Sequence, residues 1–175
     1  MKFCETPLKG AYIVEIDPRA DYRGFFARSF CRQEFEAQGL NPAVAQCNIS
    51  FNPKAGTLRG MHYQAEPFRE VKLVRCTAGA IYDAVIDLRS GSATYRRWFG
   101  VELTADNRRA LYVPEGFAHG YLTLTGNTEV FYQVSEVYSP GHERGIRWND
   151  PAFGIKWPKT PVVISPKDAS HPDFV

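Results

Sequence analysis

The chain lacks several features that mark specialised classes of protein. No run of apolar residues approaches the roughly 20 that span a bilayer, and residues 1–7 lack the apolar stretch of a secretory signal peptide. The four cysteines form neither a C-x-x-C pair nor a zinc-like cluster. The formal net charge is only +2, from 21 basic and 19 acidic residues, which gives no electrostatic footprint for nucleic acid. We therefore expect a soluble, cytoplasmic protein with reduced thiols.

Short apolar runs separated by turn residues make up most of the sequence. A length of 175 residues suits one domain with a single core. β-branched and aromatic residues are concentrated in runs that end at Gly, Pro or Asn, which predicts strands. The predicted strands are residues 11–16, 43–50, 58–64, 71–77, 80–88, 97–103, 110–113, 121–125 and 129–138. With one short helix at 32–38, the pattern predicts an all-β fold, an antiparallel sandwich or barrel with a few short helices.

Residues 140–175 are rich in turn-forming residues. Their Trp-Pro and Ser-Pro pairs favour extended turns over strands. We expect a single domain, 1–175, in which this segment is a tail that packs on the barrel. Such a tail could bring Lys167 or Asp168 to the rim of a pocket. The alternative is an ordinary exposed tail, which composition alone favours.

The predicted strand at 80–88 carries carboxylates on one of its two faces. Asp83 and Asp87 alternate there with aliphatic residues, whereas the other face is apolar and is predicted to lie in the core. Asp83 therefore faces either a polar cavity or solvent, and the alternation does not distinguish the two.

The most unusual segment is residues 56–64, where polar side chains interrupt a predicted strand. Arg59, His62 and Gln64 lie within it, and Lys72 follows in the next apolar run. Buried charge is costly unless it is paired or used. We therefore predict that this segment forms one wall of an active site, with His62 as its base, because the ordinary pKa of imidazole is about 6.5.

Two elements resemble the two cupin motifs, which place their histidines inside a jelly-roll barrel. They are Gly56-x5-His62 and Pro114-x-Gly116-x-x-His119. A metal-binding cupin usually adds a second His two residues after the first and a Glu a few residues later. Here Gln64 takes the first of those places, and Glu70 lies just beyond the second. Two histidines alone make a poor zinc, iron or manganese site, and Lys72 and Arg59 would repel a dication, so we predict no metal.

Without a metal, His62 needs an orienting carboxylate and an electrophilic group. Lys72 is a candidate to stabilise an oxyanion, and Tyr132 is a candidate acid. This set fits proton abstraction next to a carbonyl group. By itself it is not specific, because any β-barrel of this size contains some His, Lys and Tyr.

Residues 58–64, Leu-Arg-Gly-Met-His-Tyr-Gln, together with Lys72-Leu73-Val74-Arg75, resemble the signature of the dTDP-4-dehydrorhamnose 3,5-epimerase family. Further matches follow in order over about residues 20–170. They are Arg23-Gly24-Phe25-Phe26, Gln46-x-Asn48-x-Ser50, Val85-Ile86-Asp87-Leu88-Arg89, Pro114-x-Gly116-Phe117-Ala118-His119-Gly120, Trp148-Asn149-Asp150-Pro151, Trp157-Pro158 and Ser165-x-Lys167-Asp168. So many ordered matches are far more specific than one motif.

The resemblance implies a cupin-like jelly-roll homodimer that needs no metal or organic cofactor. Its substrate would be a nucleotide-linked 4-keto-6-deoxy sugar, most simply dTDP-4-dehydro-6-deoxyglucose, inverted at C3 and C5 to dTDP-4-dehydro-rhamnose. The implied catalytic residues are His62 as base, Asp168 as its partner, Lys72 as the enolate stabiliser and Tyr132 as the proton donor on the opposite face. Positions that match substrate-binding residues, some across the dimer interface, are Arg23, Arg28, Gln46, Asn48, Arg59, His119, Glu143 and Lys167.

Two positions depart from the family pattern. Arg28 stands where many members carry a Glu that contacts the nucleotide, and Glu70 stands where Gln is common. Neither change touches the implied proton-transfer residues. Three alternatives remain: inversion at C3 or C5 only, a metal-dependent cupin oxygenase, and a non-catalytic sugar-binding cupin. Rhamnose for the cell wall or lipopolysaccharide is the common setting of the family.

Overall fold

In the computed structural model, which describes residues 1–174, two antiparallel sheets face each other across the core. The elements, in chain order, are β1 (Lys2–Glu5), β2 (Tyr12–Glu15), β3 (Arg19–Asp21), β4 (Gly24–Phe26), α1 (Arg32–Ala37), β5 (Gln46–Asn52), β6 (Thr57–Gln64), β7 (Lys72–Ala78), β8 (Ala80–Asp87), β9 (Trp98–Thr104), β10 (Ala110–Val113), β11 (Phe117–Thr123), β12 (Thr128–Val134), a 3₁₀ turn (Pro140–His142), β13 (Glu143–Gly145), β14 (Val163–Ile164) and α2 (Pro166–Ala169).

The first sheet has the order β1-β2-β10-β7-β12-β5, and the second has the order β13-β6-β11-β8-β9. Neighbouring strands within each order are antiparallel, and β14 adds a short parallel pairing to β6. A separate hairpin joins β3 and β4. This architecture confirms the predicted all-β antiparallel fold with few, short helices. No helix among residues 1–174 is both long and apolar enough to cross a membrane.

Alternating apolar side chains explain where the core lies. Val74 and Val130 of the first sheet pack against Ile81 and Val85 of the second, and all four are buried. Helix α1 covers part of the outer face of the first sheet with Phe35, which is 1% exposed. Alternation on a pleated strand gives each strand one inward face, so the two sheets bury a continuous apolar layer between them.

Each predicted strand overlaps an observed one, and the predicted helix at 32–38 corresponds to α1. The two largest boundary errors are four residues each. Strand β11, predicted at 121–125, already begins at Phe117 because His119 and Gly120 obscure the strand pattern, and β12, predicted at 129–138, already ends at Val134. The elements β1, β3, β4, β13, β14 and α2 were not predicted. They have two to four residues each, which is too short for a periodic pattern to show.

Strand β8 is buried on both faces. Its outer face, with Ala84 and Ile86, lies beneath Ile146 and Phe153 of the C-terminal segment. Its inner face carries Asp83, which is fully buried beside the core residues Ile81 and Val85. Asp83 therefore faces the protein interior and not solvent.

Asp87, at the end of β8, anchors the loop that leads to β9. Its buried carboxylate accepts hydrogen bonds from Arg89 (Nη2, 2.8 Å), Ser92 (Oγ, 2.6 Å) and Thr94 (Oγ1, 2.6 Å). Burial alone would raise the pKa of Asp87, but these bonds outweigh it and lower the pKa to about 2. The carboxylate therefore contributes to folding stability at neutral pH.

We expect Asp87→Asn to lower the free energy of unfolding at pH 7 by about 3 kcal/mol, because it breaks a buried charged network. The folded-state pKa of Asp87 is below its ordinary value of 3.8. The stabilisation, about 2 kcal/mol by linkage, is thus present above pH 4 and is lost as the pH falls through 2. Urea unfolding at several pH values measures it. Asp106→Asn, on an exposed turn, is the control, and equal stability of the two variants at pH 7 would contradict the prediction.

Candidate active site

A cavity of about 220 Å³ opens between the two sheets. The second sheet contributes Arg59 and His62 from β6 and His119 and Tyr121 from β11, whereas the first contributes Ser50, Lys72 and Tyr132. Three of the four residues singled out for catalysis, His62, Lys72 and Tyr132, thus line one cavity. His62 lies on the wall opposite Lys72 and Tyr132.

The fourth, Asp168, reaches His62 from the C-terminal segment. Its Oδ1 lies 2.7 Å from the His62 Nε2, across 106 residues of sequence. Its Oδ2 accepts a hydrogen bond from the Gly60 amide (3.2 Å), and its own amide donates to the Ser165 Oγ (3.0 Å), which caps α2. The Asp168 side chain is 6% exposed and that of His62 is 33% exposed, so the carboxylate is held behind an accessible imidazole.

The charge state of Asp168 follows from its surroundings. Burial favours the neutral acid, but the hydrogen bond and positive charge of His62 and the bond from the Gly60 amide outweigh it. The pKa of Asp168 therefore lies below its ordinary value, and the group is a carboxylate at neutral pH. A carboxylate accepts the proton on Nε2 and leaves the lone pair of a neutral His62 on Nδ1.

A close approach of β6 and β11 brings the two cavity histidines together. His62 and His119 are direct partners in the register of these strands. Next to them, a Cβ added at Gly60 would lie 2.5 Å from the Gly120 Cα, so a side chain at position 60 would push the strands apart. The two glycines thus let the histidine-bearing strands pair closely.

His119 is backed by Asp83. The His119 Nε2 lies 2.6 Å from the Asp83 Oδ1, and both side chains are almost fully buried. Asp83 is on β8, the strand that pairs with β11 on the side away from β6. This carboxylate and imidazole form a second acid–histidine contact on the same sheet as His62 and Asp168.

Lys72 and Tyr132 present a cation and a phenol from the opposite sheet. The Lys72 ammonium contacts the Glu70 carboxylate, and both side chains are close to buried. Burial raises the pKa of Tyr132, with smaller contributions from Tyr121 and Glu70, so its phenol is protonated at neutral pH. The first sheet therefore supplies a positive charge and a proton donor.

A hydrogen-bonded chain positions Arg59. Its Nε donates to the Asn52 Oδ1 (2.8 Å), the Asn52 Nδ2 donates to the Tyr121 hydroxyl (3.3 Å), and that hydroxyl donates to the Ser50 Oγ (2.8 Å). Asn52 is fully buried. Arg59 is therefore fixed at the boundary between the two sheets.

A second cavity, of about 380 Å³, shares Arg59 and His62 with the first. Glu143 and Lys167 lie in its wall, with the Lys167 Nζ 2.5 Å from the Glu143 Oε2. Of the other residues predicted to bind substrate, Asn48 pairs with Tyr132 between β5 and β12, and the Gln46 Oε1 accepts from the Tyr138 amide (2.9 Å).

Arg23 and Arg28 line neither cavity within one chain. Arg23 is on the β3–β4 hairpin, where its Nη2 lies 2.6 Å from the Asp21 Oδ2 in an exposed pair. The Arg28 Nη1 lies 3.2 Å from the Glu34 Oε1. A single chain thus does not bring these two predicted binding residues to His62.

Sequence reasoning gave no role to several residues around the site. Tyr121 follows His119 by two positions, so strand alternation could have placed both in the same cavity. Glu70 was noted as lying just beyond the place of a cupin metal ligand and as a departure from the family pattern, with no role in the site. No spacing indicated His171, whose ring lies 6.3 Å, centroid to centroid, from that of His62.

One group of metal-binding side chains occurs among the residues that the structure describes, and it is not the cupin pair. It consists of His62, Asp168 and His171, whose ligand atoms lie within 4.8 Å of one another. His119 lies outside this group.

Comparison with known proteins agrees with the fold and the motifs. The profile of the dTDP-4-dehydrorhamnose 3,5-epimerase family matches residues 5–175. A dTDP-4-dehydrorhamnose 3,5-epimerase of Sinorhizobium fredii is 46% identical over 167 residues, which are 94% of this chain and 86% of that protein.

Two solved structures are similar over almost the whole chain. The Bacillus anthracis dTDP-4-dehydrorhamnose 3,5-epimerase with TDP and PPi bound has a TM-score of 0.95 and 42% identity, covering 99% of both chains. The Legionella pneumophila dTDP-6-deoxy-D-glucose-3,5-epimerase in complex with dTDP-4-keto-L-rhamnose has a TM-score of 0.90 and 36% identity, covering 97% of this chain and 90% of that one. Profile, sequence and structure agree with the resemblance seen in the motifs, and the chain belongs to the dTDP-4-dehydrorhamnose 3,5-epimerase family.

Proposed function

We propose that the protein is an isomerase that inverts C3 and C5 of dTDP-4-dehydro-6-deoxyglucose and so forms dTDP-4-dehydro-rhamnose. The observation that carries this proposal is that His62 and Tyr132 line one cavity from facing sheets. Lys72 lines the same cavity from β7, the strand next to β12, which carries Tyr132. The reaction needs no metal or organic cofactor, because a ketone in the substrate supplies the electron sink.

The C4 ketone acidifies the protons on C3 and C5. His62, with Asp168 on Nε2, removes one of them through the Nδ1 lone pair and leaves an enolate with its charge on the ketone oxygen. The Lys72 ammonium stabilises that charge, most effectively where water is excluded. The Asp168 carboxylate in turn stabilises the imidazolium that forms.

Inversion requires the new proton to arrive on the face opposite the one that lost it. A sugar ring held between the two sheets has His62 on one side and the protonated phenol of Tyr132 on the other. Donation from Tyr132 to the enolate carbon therefore inverts the centre and leaves His62 protonated and Tyr132 as a phenolate. Solvent takes the proton from His62 and returns one to Tyr132, and repetition at the second carbon then completes the reaction.

The remaining polar groups suit the nucleotide diphosphate and the sugar. Arg59 borders both cavities, and its Nε is engaged by Asn52, which leaves its two Nη groups for phosphate oxygens. Lys167 adds a second cation in the larger cavity. We assign His119, backed by Asp83, to a sugar oxygen because its ring lines the smaller cavity.

Incubation with dTDP-4-keto-6-deoxyglucose in deuterated water, followed by NMR, tests the proposed function. We expect the product to carry solvent deuterium at both C3 and C5, because each proton is exchanged for one from the solvent pool. Deuterium at one carbon alone would replace the proposal by inversion of that centre. Absence of both exchange and turnover would favour a non-catalytic sugar-binding protein.

We further propose that two chains form a homodimer through the part of the first sheet's outer face that α1 leaves uncovered. Its edge strand, β5, exposes Ile49 (67%) and Phe51 (54%), large apolar side chains that normally occur in interfaces. The β3–β4 hairpin likewise exposes Phe26 (74%). A partner's hairpin seated on this face would bring Arg23 and Arg28 towards the other chain's cavity, which accounts for their distance from their own.

Sedimentation equilibrium measures the assembly. We expect a mass about twice the 19.8 kDa of the chain, and we expect the double variant Ile49→Glu, Phe51→Glu to sediment as a monomer because buried charges oppose association. Tyr95→Glu, a charge placed on an exposed aromatic residue of the loop between β8 and β9, should remain dimeric. A wild-type mass of one chain would overturn the proposal.

We also propose that the chain forms a single domain and that the enzyme is cytoplasmic. Residues 1–174 contribute to one pair of facing sheets and to the segment packed on them, which supports a single domain. All four cysteines are free thiols, including the exposed Cys4 and Cys47. Free exposed thiols are typical of a reducing compartment, so we place the enzyme in the cytoplasm.

A further inference from the structure

His171 is a largely buried polar group next to the active site that the proposed reaction does not use. It follows α2, its side chain is 13% exposed, and its Nε2 is buried with no hydrogen-bond partner among residues 1–174. That Nε2 lies 3.9 Å from the Asp168 Oδ1, the atom that also contacts His62. Leaving a buried nitrogen unpaired costs free energy, so the arrangement calls for a ligand.

We propose that His62, Asp168 and His171 form a binding site for one divalent transition-metal ion, with Zn²⁺ as the natural occupant. The three donor atoms lie within 4.8 Å of one another. Zinc bonds of about 2.0–2.2 Å place the ligands of a tetrahedral site roughly 3.4 Å apart. The observed separations of 2.7 Å (His62 to Asp168) and 3.9 Å (His171 to Asp168) lie on either side of that value. Each of these two separations therefore differs from that value by less than about 1 Å.

The donor set fits zinc. Two imidazoles and one carboxylate are three of its usual protein ligands, and such sites take water as the fourth ligand. Water can enter from the larger cavity, which is lined by both His62 and Asp168. The neighbouring Lys167 ammonium is paired with Glu143 at 2.5 Å, which offsets its repulsion of a cation.

The backbone opposite His62 makes room for the third ligand. Gly145 of β13 is the register partner of His62 on β6. A Cβ added at Gly145 would overlap the His171 ring. The missing side chain thus allows the imidazole to lie against the strand pair that carries His62, within reach of the same ion.

Zinc at this site inhibits the enzyme, a consequence that rests on the proposed function of His62. An ion on the His62 Nε2 takes that lone pair and leaves the ring proton on Nδ1, so Nδ1 can no longer accept a proton from the sugar. The ion also diverts Asp168 from its role beside His62. Inhibition is reversible, because a chelator removes the ion and restores the contact between His62 and Asp168.

Calorimetric titration of the chelator-treated full-length protein with Zn²⁺ tests the site. We expect one ion per chain in the wild type and an affinity at least about 10-fold weaker in His171→Asn. His142→Asn is the matched control, because His142 bonds to Ser139 and is outside the group. His171→Gln is a second variant, and circular dichroism checks that each variant is folded. Equal affinity in wild type and both His171 variants would overturn the proposal.

Two further measurements separate the possible failures. Co²⁺ bound by nitrogen and oxygen shows weak visible absorption without a thiolate charge-transfer band, so a strong thiolate band would assign the ion to cysteine and overturn the site. In the turnover assay, the Zn²⁺ concentration for half inhibition should rise at least about 10-fold in His171→Asn, in line with its affinity. If wild-type turnover is absent, the proposed function fails, whereas the Zn²⁺ and Co²⁺ titrations still decide the site.

Discussion

Replacing His62 with alanine should lower the rate of epimerisation by about 10²–10⁴-fold, the usual contribution of a positioned general base. The variant keeps Arg59, Lys72 and Tyr132 in the cavity, so nucleotide affinity should change little. The loss should therefore appear in kcat, because the interaction removed acts on the transition state. Steady-state kinetics with the keto-sugar, together with dTDP binding by calorimetry, measure the two effects separately.

Two comparison variants make this result specific. His142→Ala removes an imidazole that lines neither cavity and should retain the wild-type rate. Asp168→Asn keeps the size of the side chain but removes the charge that orients His62 and stabilises its protonated form. It should also slow turnover strongly while the protein remains folded. A His62→Ala enzyme within a few-fold of wild type would remove His62 from the mechanism.

Replacing Tyr132 with phenylalanine should lower the rate of inversion by a similar 10²–10⁴-fold while leaving proton exchange in place. His62, on the other wall, can still remove a proton and return it, or a deuteron, to the same face. The recovered substrate should therefore gain deuterium in deuterated water without a change of configuration. NMR reads both quantities in one sample, as deuterium in the substrate and as product formed.

The control for this variant is Tyr63→Phe, because Tyr63 is next to His62 on β6 but packs on the opposite side of the sheet. It should exchange and invert as the wild type does.

The pH dependence gives a second check: the pKa of Tyr132 is raised by burial above its ordinary value of 10.0. The midpoint for loss of the proton donor should thus lie above pH 10. If Tyr132→Phe loses exchange and inversion equally, this would contradict the proposal that His62 and Tyr132 act as separate base and acid.

The strands of the two sheets were predictable because their pattern is local. Alternation and β-branched residues mark seven- and eight-residue strands such as β7 and β8 in the sequence itself. The elements that were missed are short, and their positions depend on what they pair with. The strand β13 has three residues and exists because β6 offers it an open edge.

Local motifs also predicted part of the site. His62, Lys72 and Tyr132 are polar residues at inward positions of predicted strands, and all three border one cavity. Arg23 and Arg28 could not be located in this way, because neither lines the cavity of His62 within one chain. The burial of Asp83 could not be predicted either. The alternation pattern of the strand is the same whether its carboxylate faces solvent or an interior histidine.

The amino-acid sequence by itself determined the all-β class, the positions of the long strands and membership of the epimerase family. These depend on residues close together in the chain or on ordered motifs. The family resemblance implied that Asp168 is the partner of His62, and the structure places the two in contact. Only the tertiary structure decided that Asp83 meets His119 and that His171 joins the first pair. The physical reason is that these contacts follow from sheet packing and from the path of the C-terminal segment, which bring together residues up to 109 positions apart and leave no local pattern.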